Sequence, residues 1–201
     1  MYSYKKILNN VYTVKVMTSF PFQNPLLPAP VEVLKKLRTI NVAHYTFTGD
    51  VVTGEIIMHA EVMNDVKDFF EYAFTIQFPI FSVIPIHENP FYFNDTLSCI
   101  ANNSSGFNYR MIYNSHTLSK HSFGKAFDIN PFQNIYITYD STGRETYRLP
   151  KNGVYDPNAP GTLHADHSLV RFMKERGWNW GGDWTKNDGR TDFQHFEKMD
   201  Y

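Results

Sequence analysis

A single glycine, Gly124, limits how the segment SKHSFGKAFDIN at residues 119–130 can fold. A His and an Asp stand seven residues apart in this segment, and that spacing would bring both to one face of an α-helix. The glycine between them and Pro131 directly after the segment both disfavour a helix. The sequence therefore predicts a turn around Gly124 that leads into a strand over residues 125–130.

The predicted strand presents side chains that could bind a metal. Asp128 and the small Ala126 share one of its faces, which leaves room beside the carboxylate for a metal ion. His121, before the turn, can fold over the same place, and His195 near the C-terminus is the candidate for a third ligand. Two histidines and one aspartate around an open position are a ligand set of catalytic zinc sites. We therefore predict one Zn²⁺ held by His121, Asp128 and His195.

Length and composition exclude several classes of protein. The 201 residues fit one domain, and 19 basic against 20 acidic residues predict no nucleic-acid partner. The sequence has no apolar run long enough to span a membrane and no visible signal peptide. We therefore expect a protein that is made in the cytoplasm and then released, or a sequence that is already trimmed. The single cysteine, Cys99, is expected to be a buried thiol.

The chain is expected to divide into an arm and a domain. Four prolines between residues 21 and 30 disfavour regular structure, so residues 1–33 are interpreted as an arm packed on a domain of residues 34–201. Hydrophobic periodicity and turn residues predict the elements of the domain. The predicted elements are helices over 31–38, over 60–73 and up to 176, strands over 42–47, 55–58 and 81–86, and an irregular excursion over 135–161.

The sequence HADH at residues 164–167 could suggest a second metal site, but it has a simpler interpretation. Asp166 or Ser168 is well placed to cap the helix that ends near residue 176, where Gly177 would stop it. We therefore expect His164 and His167 to lie at a helix cap and on the surface.

Three motifs of the chain resemble those of the M15 metallopeptidases. They are S-x-H-x-x-G-x-A-x-D at 119–128, W-x-W-G-G-D-W at 178–184 and D-x-x-H-F at 192–196. The resemblance runs from about residue 34 to the end, and it is closest to the L-alanyl-D-glutamate endopeptidases of phage endolysins and bacterial cell-wall enzymes. It implies an α+β fold of the hedgehog/D,D-peptidase type, in which a small antiparallel sheet carries the zinc site and helices pack on one side.

Side chains around the metal are expected to bind and activate the substrate. The resemblance implies that Arg110 and Ser119 bind substrate, and Arg110 would also stabilise the oxyanion that develops during hydrolysis. Asp192 is expected to act as the general base on a zinc-bound water, because it is the carboxylate that does not ligate zinc. Trp180 and Asp183 are expected to line the cleft.

The substrate is implied by the resemblance alone, because M15 enzymes cut the stem peptides of peptidoglycan. Asp192 favours an endopeptidase acting between L-Ala and D-Glu, since the D,D-carboxypeptidase and dipeptidase relatives carry E-x-x-H instead. Two alternatives stay open: a D,D-carboxypeptidase with the same zinc chemistry, and a non-catalytic zinc-containing binding module like the hedgehog domain. The expected location is the bacterial cell wall or periplasm, and the expected state is a monomer.

Overall fold

The computed structural model describes residues 12–16, 24 and 27–199, which form an α+β fold with small antiparallel sheets and four α-helices. The strands are β1 (Val14–Val16), β2 (Leu37–Tyr45), β3 (Val51–His59), β4 (Ser82–Val83), β5 (Asn103–Ser104), β6 (Ala126–Asp128), β7 (Tyr136–Tyr139), β8 (Glu145–Leu149), β9 (Trp178–Trp180), β10 (Arg190–Asp192) and β11 (His195–Lys198). The α-helices are α1 (Val31–Leu34), α2 (Met63–Thr75), α3 (Asp95–Ile100) and α4 (Ser168–Lys174). The predicted fold class is therefore confirmed.

A long hairpin of β2 and β3 forms the first sheet, with β1 on the outer edge of β2. Helix α2 packs on β2 and buries Val66, Phe69, Phe70 and Ala73, as its helical periodicity predicted. This amphipathic face joins the sheet to the main core of the protein.

The second sheet carries the candidate site, and its strand order is β6-β11-β9. Phe127 of β6 and Phe196 of β11 stack with ring centres 5.2 Å apart, and Phe69 of α2 contacts both rings. Because side chains alternate along a strand, the neighbouring Asp128 and His195 point away from this aromatic core. Burial of the phenylalanines thus fixes the face on which the polar side chains meet.

The third sheet, ordered β10-β7-β8, corrects the prediction of an irregular excursion over 135–161. Strands β7 and β8 form a hairpin inside that range, closed by a turn in which Gly143 N–H donates to Asp140 O at 2.9 Å. The sequence YITY of β7 consists of aromatic and β-branched residues, which favour strands. The Pro, Asn and Gly residues around the hairpin obscured that signal.

Other element bounds also differ from the predictions. Helix α1 ends at Leu34 instead of residue 38, because Leu37 and Arg38 pair with His59 and Met58 at the start of the β2–β3 hairpin. Both hairpin strands are longer than predicted, whereas the strand predicted over 81–86 is reduced to β4.

The cap of α4 is His167 and not Asp166 or Ser168. Its Nδ1 accepts a hydrogen bond from Leu169 N–H at 3.2 Å, which satisfies one of the free amides of the first turn. Gly177 follows the helix with φ of 75°, as its predicted stop role requires.

Only part of the predicted arm lies within the described residues. There β1 pairs with β2, and the buried Tyr12 hydroxyl donates to Ala43 O at 3.2 Å. The division into residues 1–33 and 34–201 stays a prediction, since most of the arm is outside the described residues. No helix in the described part is both long enough and apolar enough to cross a membrane.

Candidate metal centre and active site

The turn at Gly124 has the form that the sequence predicted. A short 3₁₀ helix, Lys120–Phe123, is capped by Ser119, whose Oγ accepts from His121 N–H at 3.3 Å. Gly124 ends it with φ of 64°, and a Cβ there would lie 2.7 Å from His59 N. Glycine is therefore required both for the left-handed backbone and for the close approach to β3. This turn delivers His121 to the start of β6.

Strand pairing brings the other two candidate ligands together. In the antiparallel β6–β11 pair, His195 stands directly opposite Asp128. On its other side, β6 is bridged to Ser105, where Asp128 N–H donates to Ser105 O at 2.9 Å. The backbone of Asp128 is thus held by strand pairing on both sides.

His121, Asp128 and His195 form a tight triangle of ligand atoms. His121 Nε2 and His195 Nδ1 are 3.1 Å apart, and they lie 3.2 and 2.9 Å from the two oxygens of Asp128. A tetrahedral zinc site with bonds of about 2.0–2.1 Å places its ligand atoms roughly 3.3 Å apart. All three residues are buried, and within the described residues they form the one group of three or more that could hold a metal ion.

In each imidazole, the nitrogen that faces away from the triangle forms a hydrogen bond that orients the ring for metal binding. His121 Nδ1–H donates to Gly106 O at 2.6 Å, which leaves Nε2 as the free nitrogen. His195 Nε2–H donates to Glu197 Oε2 at 3.2 Å, which leaves Nδ1 facing the triangle. Such outer partners fix the tautomer and ring orientation of metal-ligating histidines. The residues present therefore fit a metal ion.

Asp128 and His195 shift each other's pKa in opposite directions. Burial alone would lower the pKa of His195, but hydrogen bonds to Asp128 and Glu197 raise it to about 10. Burial likewise opposes ionisation of Asp128, but the two histidines hold the pKa of its carboxyl well below the usual range. The anionic Asp128 thus pairs with a His195 imidazolium at neutral pH.

Asp192 enters the same cavity from another strand. It is the last residue of β10, opposite Tyr136, and a turn at 193–194 separates it from His195, as the sequence required. A Cβ at Gly181 would lie 2.5 Å from Asp192 O, so glycine permits this close approach. The Oδ1 atom of Asp192 is buried without a hydrogen-bond partner, and burial raises the pKa of the carboxyl to about 7.

Arg110 lines the cavity from the loop before the 3₁₀ helix. Its Nε lies 3.0 Å from Asp95 Oδ1, an ion pair without a well-directed hydrogen bond. Its backbone N–H donates to Ser122 Oγ at 2.9 Å. Asp95 therefore fixes the side chain of Arg110, and Ser122 fixes its backbone.

The cavity has a volume of about 300 Å³ and contains most of the predicted site residues. Arg110, Ser119 and Asp192 line it together with the three candidate ligands.

Trp180 and Asp183 do not have the cleft positions expected of them. Trp180 is only 2% exposed, and its indole N–H donates to Phe193 O at 2.8 Å, so it belongs to the core. Asp183 pairs with Lys174 at 2.6 Å, and neither Asp183 nor Trp180 lines the cavity. Trp184 does line it, with its ring centre 5.5 Å from that of His195.

Several cavity residues were missed by the sequence analysis. Glu197 could have been found, because it lies two residues after His195 and so shares its face of the strand. Asp95 had no such signal, because its contact with Arg110 joins separate segments. An aromatic wall was also missed; it consists of Tyr113, Tyr136 and Tyr147, with Tyr113 stacked on Tyr147 at 5.2 Å.

Comparison with known proteins found a match to one family model. Residues 113–198 match a family model described as D-alanyl-D-alanine carboxypeptidase, one of the models of the M15 peptidases. The matched range contains the three candidate ligands and Asp192, whereas Arg110 precedes it. Searches of curated proteins and of solved structures gave no match.

Proposed function

We propose that the chain is an M15 metallopeptidase that hydrolyses the bond between L-Ala and D-Glu in peptidoglycan stem peptides, and the match of residues 113–198 to an M15 family model supports this proposal. The observation that carries this proposal is a single cavity lined by a three-residue metal site and by a separate carboxylate, Asp192. That combination is what metal-assisted hydrolysis requires.

Zinc is the metal that these ligands favour. Two imidazole nitrogens and one carboxylate oxygen suit zinc, and three protein ligands leave the fourth position open for catalysis. Zinc bound there would act as a Lewis acid and would make a water molecule far more acidic than bulk water. His121, Asp128 and His195 would hold it, with Gly106 O and Glu197 behind the histidines.

Asp192 is suited to the role of general base. Its buried Oδ1 has no protein partner, and a pKa of about 7 allows the carboxylate to take up and release a proton near neutral pH. It would accept a proton from the attacking water and pass it to the amine that leaves. Arg110 supplies a fixed positive charge for the oxygen of the cleaved carbonyl, and Ser119 lines the same cavity.

The choice of bond rests on the motif D-x-x-H. Asp192 in that motif resembles the endopeptidase branch, in which the product is a D-Glu residue with a new free amino group. The second candidate is a D,D-carboxypeptidase, and the description of the matching family model supports it. The site supports both reactions, since each needs the same metal, base and fixed cation. We further propose that the enzyme acts as a monomer on peptidoglycan in the bacterial cell wall or periplasm.

Mass spectrometry of purified peptidoglycan digested with the metal-loaded protein tests the proposal. New free amino groups on D-Glu are the expected result. Release of D-Ala alone would replace the endopeptidase with the carboxypeptidase. No cleavage by protein that retains its metal would leave a non-catalytic binding module, and Asp192→Ala protein is the control for contaminating hydrolases.

A further inference from the structure

Arg190 is a second arginine of the cavity, and no carboxylate in the described part of the chain forms an ion pair with it. It is the first residue of β10, and it lines the cavity. Its side chain forms no ion pair and no side-chain hydrogen bond within the described residues. The charges of two carboxylates, Asp188 and Glu197, interact with that of Arg190, but both carboxylates have other hydrogen-bond partners. Asp188 forms a capping box with Thr185, and Glu197 accepts a hydrogen bond from His195. Arg110, by contrast, is paired with Asp95. Among the described residues, Arg190 therefore lies in the cavity with its guanidinium over Trp184 and without an ion pair.

The guanidinium of Arg190 lies over the ring of Trp184. The Cζ atom lies 4.4 Å from the centre of the Trp184 ring, and the same ring lies 5.5 Å from that of His195. Stacking uses the flat face of a guanidinium and leaves the N–H groups at its edge free to donate. Those edge donors match the two oxygens of a carboxylate. The stacked pair is thus suited to bind a carboxylate beside the candidate metal centre.

With a divalent metal ion bound, the charge of the whole cavity would favour an anionic ligand. Three cations, Arg110, Lys120 and Arg190, and four carboxylates line it. Two of the carboxylates, Asp95 and Asp128, are paired with Arg110 and with the two histidines. A divalent metal ion would make the cavity positive overall, which attracts negatively charged substrates.

The proposed substrate contains a carboxylate that fits this site. A D-Glu residue in a peptide uses one of its two carboxyl groups in the chain and leaves the other free, next to the bond that would be cut. We propose that Arg190, stacked on Trp184, binds the free carboxylate of D-Glu and makes the enzyme prefer stem peptides in which this group is not amidated. The inference rests on the proposed function, which names D-Glu as a substrate residue.

Binding of two matched peptides tests the role of Arg190 separately from cleavage. The peptides share one stem sequence and differ only in the free group of D-Glu, which is a carboxylate in one and a carboxamide in the other. Calorimetry with metal-loaded Asp192→Ala protein avoids turnover during the titration. We expect the acidic peptide to bind roughly 10–100-fold more tightly than the amide, as a charge-assisted hydrogen bond predicts.

Arginine variants in the same background assign the preference. Arg190→Gln should weaken binding of the acidic peptide by that factor and leave the amide unchanged, whereas Arg190→Lys should retain part of the preference. Arg144→Gln is the control, because Arg144 is exposed, pairs with Asp140 and lies outside the cavity. Equal binding of the two peptides, binding of neither, or a preference that survives Arg190→Gln would overturn the inference. A preference lost with Arg190→Gln would support it even if the wild-type protein cuts neither peptide, a result that would contradict only the proposed function.

Discussion

His195 lies directly opposite Asp128 across the β6–β11 pair, and its Nδ1 is 2.9 Å from Asp128 Oδ1. The same nitrogen is 3.1 Å from His121 Nε2. A hydrogen bond network of this shape keeps three ligand atoms together before a metal arrives, and a metal ion can replace the shared proton.

Removal of Asp128 should affect the metal, whereas removal of Asp192 should affect only the reaction. Asp128→Ala deletes one of three ligands, so zinc should be lost during gel filtration. Asp192→Ala deletes a carboxylate outside the triangle, so zinc should remain while the rate falls about 10²–10⁴-fold. Zinc content of the two purified variants decides the roles. Equal loss of zinc from both would show that Asp192 is a ligand.

Metal affinity should rise with pH. The pKa of His195 is raised to about 10 in the metal-free protein by Asp128 and Glu197 against the effect of burial. Below that pKa the imidazole carries a proton that the metal must displace, so affinity should fall about tenfold for each pH unit of acidification. Asp128 contributes no proton at neutral pH, because its pKa is lowered.

Calorimetry at pH ~7 measures this exchange. Zinc titrations in two buffers with different protonation enthalpies should show release of about one proton per metal ion. Binding with no proton release would mean that His195 is already neutral or is not a ligand.

Glu197 should strengthen metal binding without touching the metal. Its Oε2 accepts from His195 Nε2–H at 3.2 Å, and loss of such a partner typically lowers metal affinity about 10–100-fold. Glu197→Ala should show that loss, and Glu197→Gln a smaller one, because its amide oxygen can still accept the hydrogen bond. Glu145→Ala is the control, since Glu145 pairs with Arg148 outside the cavity. Competition with a chelator measures the affinities, and equal affinity of Glu197→Ala and wild type would contradict the role.

Gly124 should be more sensitive to alanine than another glycine with a similar backbone. Gly124→Ala combines a left-handed φ of 64° with a Cβ only 2.7 Å from His59 N. Gly49→Ala is the control, because Gly49 has φ of 85° and no atom within 4 Å of its Cβ position. We expect Gly124→Ala to lower the free energy of unfolding by roughly 1–3 kcal/mol more than Gly49→Ala. Urea unfolding in chelator measures both, and equal losses would contradict the close contact with β3.

The site could be predicted better than the sheets around it. His121 and Asp128 lie on either side of a glycine turn and a short strand, so their closeness follows from local chain geometry. That His195 joins them depends on β11 pairing with β6 across almost seventy residues, which the motif resemblance indicated but strand alternation alone could not. The β7–β8 hairpin, inside the predicted excursion over 135–161, was missed because its turn-rich flanks outweighed a four-residue strand signal.

Misplaced residues show where local patterns fail. Trp180 was expected in the cleft, but its indole N–H is satisfied by Phe193 O and the ring is buried, whereas Trp184 reaches the cavity. His167 caps α4 although Asp and Ser are commoner caps. In both cases a contact to a specific neighbour decided the position, and the residue type alone did not predict it.

Anomalous diffraction at the zinc edge, on crystals of protein purified without chelator, locates the metal most directly. The expected result is one zinc per chain, bonded to His121 Nε2, His195 Nδ1 and the carboxylate of Asp128, at distances near 2.0–2.2 Å. Protein that cleaves peptidoglycan but shows no zinc there, or a zinc at His164 and His167 instead, would contradict the assignment of the metal site.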